Sequence, residues 1–302
     1  MAIGMRSTVL TALTTIGLTL AAAPTATAAT AVSPATAEAA IIGGRAATEA
    51  YPFMAYLRKK GLPGHCGGSL IAANWIVTAA HCADLVVPGK TKARIGSPHR
   101  LKGGTLVGYE RLVVHPGFKL PDMSKGLKRP LKHDIALVQL ERRVDLAPIR
   151  IADDAGPATT PTRVIGWGMT CDDPNKPSCE KNMPRQLREL NTVLVPDKRC
   201  TMIDHVSELC TGQRHGRPAM SCSGDSGGPQ IRKIAGRWEL IGATSRDGDD
   251  LTERKDGSGI CATNPKGDPG LGIWTDVTHH KPWIIKTITK HDPEAAAELT
   301  AM

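Results

Sequence analysis

The sequence predicts an all-β fold, a sandwich or barrel, closed by one C-terminal α-helix. Three observations carry this. Short apolar, β-branched runs recur between clusters of Gly, Pro, Asn and Asp. No helical period of useful length appears before Val277. Aromatic residues are only 3% of the 302, so Val, Ile, Leu and Ala must fill the core. Hydrophobic residues at 41% and charged residues at 22% exclude wholesale disorder, and the length suffices for one large domain or two ordinary ones.

The elements follow in chain order. Met1 to Ala28 reads as a signal peptide: Arg6 supplies positive charge, Val9 to Ala23 is apolar, Pro24 ends the run, and Ala26-Thr27-Ala28 is a small-residue cleavage pattern. A second such pattern stands at Ala37-Glu38-Ala39. Residues 29–40 hold too little apolar bulk to fold and read as a propeptide. Export makes the chain secreted and extracellular, where disulfides persist. Strands are expected around Ser69-Leu70-Ile71, Trp75 to Thr78, Leu112-Val113-Val114, Ile135 to Val138 and Thr192 to Val195. Asp153 to Pro161 is the best boundary, dividing 41–152 from 153–291. Trp283, Ile284, Ile285 and Ile288 recur at helix spacing within Val277 to Lys290. The Ala/Glu tail, 292–302, is expected to fray. Beyond the N-terminus no uncharged apolar run is long enough to cross a bilayer, so no membrane anchor is expected.

Lys+Arg 38 against Asp+Glu 29 gives a formal charge of +9, unchanged by removal of residues 1–40, which carry only Arg6 and Glu38. The eight Cys contain no CxxC pair and fit disulfides better than zinc or redox chemistry, with about 105 pairings open on composition alone. His115-Pro116 and His279-His280 invite a metal reading, but neither stands near a second ligand cluster in the sequence. No metal and no cofactor are expected.

Three motifs carry chemistry: Thr78-Ala79-Ala80-His81-Cys82, His133-Asp134-Ile135-Ala136-Leu137 and Gly224-Asp225-Ser226-Gly227-Gly228-Pro229. A Ser hydroxyl is a weak nucleophile until a base takes its proton, His titrates near neutrality, and a carboxylate can hold the imidazole in the useful tautomer. Gly227 and Gly228 alone would mark no more than a tight turn. Together and in this order, the motifs resemble the chymotrypsin/trypsin-like secreted serine peptidases. The resemblance runs from Ile41-Ile42-Gly43-Gly44 through Gly166-Trp167-Gly168 to Trp274-Thr275-Asp276-Val277 and the terminal helix.

That resemblance implies two antiparallel six-stranded β-barrels with a C-terminal α-helix and the active site between them. It implies Ser226 as nucleophile, His81 as general base and acid, Asp134 as orienting carboxylate, and the N–H groups of Gly224 and Ser226 as oxyanion hole. It implies a zymogen cut between Ala40 and Ile41, whose freed amine pairs with Asp225. It also selects the disulfides Cys66–Cys82, Cys171–Cys179, Cys200–Cys210 and Cys222–Cys261.

Some residues depart from the family pattern. Met220 stands where the trypsin branch carries a pocket-floor Asp. Arg246-Asp247 replaces Trp-Gly after the pocket residue Ser245, and the stretch from there to Cys261 is long and acidic. Gly272 matches a pocket-wall glycine, leaving that wall open. These features imply an apolar rather than a basic residue before the cut bond, unless Asp247 or Asp249 folds back as a replacement carboxylate. The Gly96 to Glu110 stretch holds one acidic residue, too few for the calcium loop of some relatives. Lys125-Gly126-Leu127-Lys128-Arg129-Pro130-Leu131-Lys132 would form a basic rim able to steer anionic substrates. The expected partners are protein or peptide substrates, with no specific nucleic acid, and the chain is expected to be a monomer. The rival reading is a basic, non-catalytic binding protein on the same scaffold, which fold alone would not exclude.

Overall fold

The computed structural model describes residues 1–2, 41–58, 65–120, 131–171, 183–213, 219–248, 261 and 270–302. The chain divides into two units, Met1–Thr36 and Ala37–Met302, and every element below lies in the second. The proposed signal peptide and propeptide lie almost wholly outside the described residues.

Six strands close the first barrel: β2 (Met54–Arg58), β3 (Cys66–Ala72), β4 (Trp75–Thr78), β5 (Lys92–Ile95), β6 (Thr105–Val114) and β7 (Ala136–Leu140), joined in the order β2-β3-β4-β7-β6-β5. All pairings are antiparallel, with Ile76 opposite Val138 between β4 and β7. Every residue of β3 and β4 is buried, which is why these runs read as continuously apolar rather than alternating.

The second barrel comprises β8 (Pro161–Gly166), β9 (Arg188–Leu194), β10 (Glu208–Gly212), β11 (Pro229–Ile234), β12 (Arg237–Asp247) and β13 (Gly272–Asp276). The order β9-β10-β13-β12-β11-β8 closes through pairing of β8 with β9. A short β1 (Arg45–Ala46) adds to the start of β9. Closure leaves neither six-stranded barrel an open edge. The fold is thus the two-barrel architecture that the resemblance implies.

Helix α1 (Lys281–His291) starts later than the expected Val277. Asp276 is the reason: its Oδ1 accepts N–H bonds from Thr278 (2.8 Å) and His279 (3.1 Å), tying residues 277–280 into a turn. The tail corrects the expectation of fraying, because α2 (Pro293–Ala301) is helical and buries Ala295, Ala296 and Leu299. Asp292 caps it through the Ala295 N–H and also accepts from Asn74 Nδ2 at 2.7 Å and Trp75 Nε1 at 3.3 Å. Such a cap stabilises a helix by about 1 kcal/mol. Its contacts to residues more than 200 positions away cannot be read from local composition.

Candidate active site

The first motif lies where β4 ends. Thr78 is its last residue, and a 3-10 turn over Ala80–Leu85 turns His81 out of the wall. The Cys66–Cys82 disulfide ties that turn to the start of β3. The second motif enters β7 through a tight turn, with His133 at φ +57° and the Ile135 N–H donating to the His133 carbonyl at 2.7 Å. Asp134 is thereby placed under His81 and is fully buried.

The Asp134 carboxylate is surrounded by donors. Oδ2 lies 2.7 Å from His81 Nδ1, Oδ1 accepts the His81 N–H at 2.9 Å, and the Ser245 hydroxyl donates to Oδ2 at 2.6 Å. From the second barrel, Thr275 Oγ1 donates to the Asp134 carbonyl at 2.9 Å. Burial opposes charge on both partners. At His81 the Asp134 carboxylate outweighs it and raises the imidazole above its usual value. At Asp134 the facing His81 ring and the Ser245 hydroxyl likewise prevail, holding the carboxyl below its usual range. Nδ1 is therefore committed to the carboxylate, and Nε2 is the ring nitrogen that the carboxylate does not hold.

The third motif fills the loop between β10 and β11. The Gly67 N–H donates to the Ser226 carbonyl at 2.7 Å, and the Gly227 N–H to the Thr244 carbonyl at 2.7 Å. A Cβ at Gly227 would stand 2.1 Å from Thr78 Oγ1 and 2.7 Å from Ala79 N, so only glycine lets the serine loop press against the histidine turn. Gly224 has φ +98°, and a Cβ there would meet His65 Nε2 at 2.9 Å. The buried His65 is held down to about 4, chiefly by burial.

Asp225 is fully buried beside Ser226. Its carboxylate accepts only backbone N–H groups, Gly168 at 2.7 Å and Cys222 at 3.0 Å, and no ion pair reaches it among the described residues. Burial pushes it up to about 7. Ile41 is fully buried too, and Ile42 bridges to Met220, so the segment that would follow activation already lies against the second barrel.

A cavity of about 200 Å³ opens beside Ser226, with Ser221, Ser245, Arg246 and Asp247 in its lining. Met220 and Gly272 do not line it. Met220 is buried behind, and its Cε would lie 2.4 Å from a Cβ at Gly272, so it fills the space that glycine leaves. The wall expected to be open is therefore occupied. Asp247 does reach the cavity lining, while Asp249 lies outside the described residues. Arg246, absent from the expected site, forms a buried bidentate pair with Glu208 and donates to the Met202 carbonyl at 2.6 Å. Nothing local in the sequence signals that pair, because 38 residues separate its members.

Disulfides join Cys66 to Cys82, Cys200 to Cys210 and Cys222 to Cys261. Cys179 lies outside the described residues, as does most of the basic rim, but Lys132 is described and pairs with Asp204 at 3.0 Å.

A family model described as Trypsin matches residues 41–284. The chain belongs to the trypsin family. A trypsin of Sarcophaga bullata is 30% identical over 251 residues, covering 79% of this chain and 85% of that protein. Neuropsin, a serine protease expressed in the limbic system of mouse brain, superposes with a TM-score of 0.62 at 24% identity. That match covers 82% of this chain and 100% of neuropsin, and it speaks for the fold alone. As a trypsin-family member the chain is a serine endopeptidase acting on protein or peptide substrates. No observation favours the non-catalytic rival. Among the described residues no helix is long and apolar enough to cross a membrane.

Proposed function

We propose that the chain is a secreted endopeptidase made as a zymogen, with Ser226, His81 and Asp134 as its catalytic triad. The 2.7 Å contact between His81 Nδ1 and Asp134 Oδ2 supports this reading most directly. Ser226 Oγ attacks the substrate carbonyl carbon while its proton passes to His81 Nε2. The Gly224 and Ser226 N–H groups hold the resulting oxyanion, and one such donor is worth roughly 3–4 kcal/mol. Collapse expels the amine, which takes the proton from His81 and leaves an acyl-serine. Water repeats the sequence in reverse roles, His81 again moving the proton, and releases the acid.

Cleavage before Ile41 frees an α-amine for Asp225. The support is the fully buried Asp225 carboxylate, which no ion pair reaches among the described residues, together with a fully buried Ile41 in the same core cluster as Cys222. The test couples two measurements. A fluorophosphonate probe should label the activated chain and not Ser226→Ala, and N-terminal sequencing of the labelled form should begin at Ile41. Labelling that survives Ser226→Ala refutes the triad. An active form retaining Ala40 refutes the activation scheme.

The residue before the cut bond is proposed to be medium and apolar. Met220 stands where a pocket-floor carboxylate would be and packs against Gly272, and among the described residues the small cavity beside Ser226 is lined by one carboxylate, Asp247, next in the chain to the Arg246 cation. A substrate cation entering there would lack a dedicated partner. Peptide anilides differing only at that residue should show larger kcat/KM for Leu, Met or Phe than for Arg or Lys. A larger value for Arg or Lys, abolished by Asp247→Asn, overturns this and makes Asp247 the determinant.

A further inference from the structure

The sequence offers His115-Pro116 and His279-His280 as isolated pairs, with no second ligand cluster near either. The fold corrects that. His115 follows β6, His133 precedes Asp134 and β7, and His280 directly precedes α1, yet one ring nitrogen from each lies within 4.8 Å of the others. The rings of His115 and His133 stack at 4.5 Å, and that of His280 crosses them at 5.4 and 5.3 Å. A different grouping, Cys66, Cys82 and His81, offers no comparable donor set, because its two sulfurs are joined as a disulfide.

We propose that His115, His133 and His280 bind one borderline-soft divalent ion, with zinc the best fit, which clips the β6 and β7 ends of the first barrel to the turn entering α1. Bonds of about 2.0–2.1 Å in tetrahedral array require nitrogens about 3.4 Å apart, within reach of small ring rotations from the present spacing. His133 Nδ1 and His280 Nε2 already stand 3.0 Å apart. His280 Nδ1 lies 2.6 Å from the Asp276 carbonyl and donates to it. That bond fixes the tautomer and turns the Nε2 lone pair toward His133, the outer-shell arrangement that orients metal-binding imidazoles. In the metal-free cluster His133 Nδ1 is therefore the donor. On binding, its proton transfers to Nε2 through solvent, and no net proton need be released. His115 joins by a ring rotation that returns the Gly117 N–H, now 3.1 Å from Nδ1, to water.

His115 Nδ1 already accepts the Gly117 N–H and His280 Nε2 the His133 N–H, so each of these nitrogens presents a lone pair. His115 and His133 are part-exposed, which gives an entry path and a water position for the fourth ligand. Histidines packed only as an aromatic patch against Trp283, whose ring lies 4.7 Å from His115, would need no ion.

The experiment titrates Zn²⁺ into the untagged full chain carrying Ser226→Ala, which prevents self-digestion and leaves the cluster intact. Calorimetry should find one saturable Zn²⁺ per chain, and Tm should rise and then plateau with added Zn²⁺. His115→Ala should weaken binding at least tenfold, and His280→Gln likewise. His279→Ala should not, because His279 lies outside the three-ligand set. Near-UV circular dichroism of the part-exposed His115 variant checks that its native packing survives where the buried His280 variant fails to fold. Absence of saturable uptake, unchanged affinity in natively packed His115→Ala, or loss of binding in His279→Ala each overturns the proposal.

Discussion

Asp134 and Asp225 are both fully buried, yet their carboxyls move in opposite directions. Desolvation penalises both charges. Around Asp134 the His81 ring, the Ser245 hydroxyl and the His81 N–H overcome it. Around Asp225 stand only the N–H groups of Cys222 and Gly168, and the carboxyl rises to about 7. Here two backbone dipoles leave a fully buried carboxyl titrating near neutrality, whereas a facing imidazole with side-chain and backbone donors holds one below its usual range. One site is complete as folded. At the other no cation stands among the described residues, and activation is proposed to supply one.

The opposite shifts give opposite pH signatures. Asp134, depressed when folded, contributes stability above its unfolded value near pH 4, and loses it as pH falls through the folded value. His81, raised when folded, contributes fully below about pH 6.5 and loses it as pH rises through its higher folded value. Asp225, raised when folded, behaves as His81 does but in a more acidic window. The folded chain binds more protons there than the unfolded chain, so its contribution fades between about pH 4 and pH 7.

The largest expected effect comes from Asp134→Asn. In related Ser-His-Asp triads the exchange costs about 10⁴-fold in kcat, because the imidazole is left in the wrong tautomer. The acid limb of the kcat/KM profile should also move from above pH 6.5 to below it, since burial then acts on His81 without its counter-charge. A loss under tenfold with an unmoved limb would show that the His81–Asp134 contact does not set reactivity.

Next comes Asp225 in the uncut chain, with Ser226→Ala as background. Urea unfolding with and without Asp225→Asn should give a stability difference that swings toward Asn by roughly 4 kcal/mol between pH 4 and pH 8. A flat difference would mean that Asp225 already has a cation before cleavage. After cleavage at Ile41 the swing should vanish, because the amine then keeps the carboxylate charged.

The smallest effect is that of Ser245→Ala. It removes one hydrogen bond to a charged group, worth about 1.5–3 kcal/mol, and should lower kcat/KM by about ten- to a hundredfold. Wild-type kcat/KM would show instead that His81 alone sustains Asp134.

The candidate chemistry was legible because its residues sit in short local motifs. Ala79-Ala80-His81-Cys82, His133-Asp134 and Gly224-Asp225-Ser226-Gly227 each need specific neighbours for a turn or a close approach, so residue and context occur together in the chain. The terminal helix was legible for the same reason, through the spacing of Trp283, Ile284 and Ile288. Its start was not, because the Asp276 turn takes the first residues of the periodic stretch.

What only the tertiary structure decided is what depends on residues far apart in sequence. Ser245 and Thr275 reach Asp134 across more than 100 residues. Met220 fills the space beside Gly272, Arg246 finds Glu208, and Asp292 anchors α2 to Asn74 and Trp75. The three histidines are the clearest instance, since the side-chain chemistry was visible while the nearness of their nitrogens was not. Local sequence determines which groups a turn presents, through backbone geometry and hydrogen bonding over a few residues. Barrel closure decides which of those groups meet, because packing a core brings together strands whose order in space is not their order in the chain.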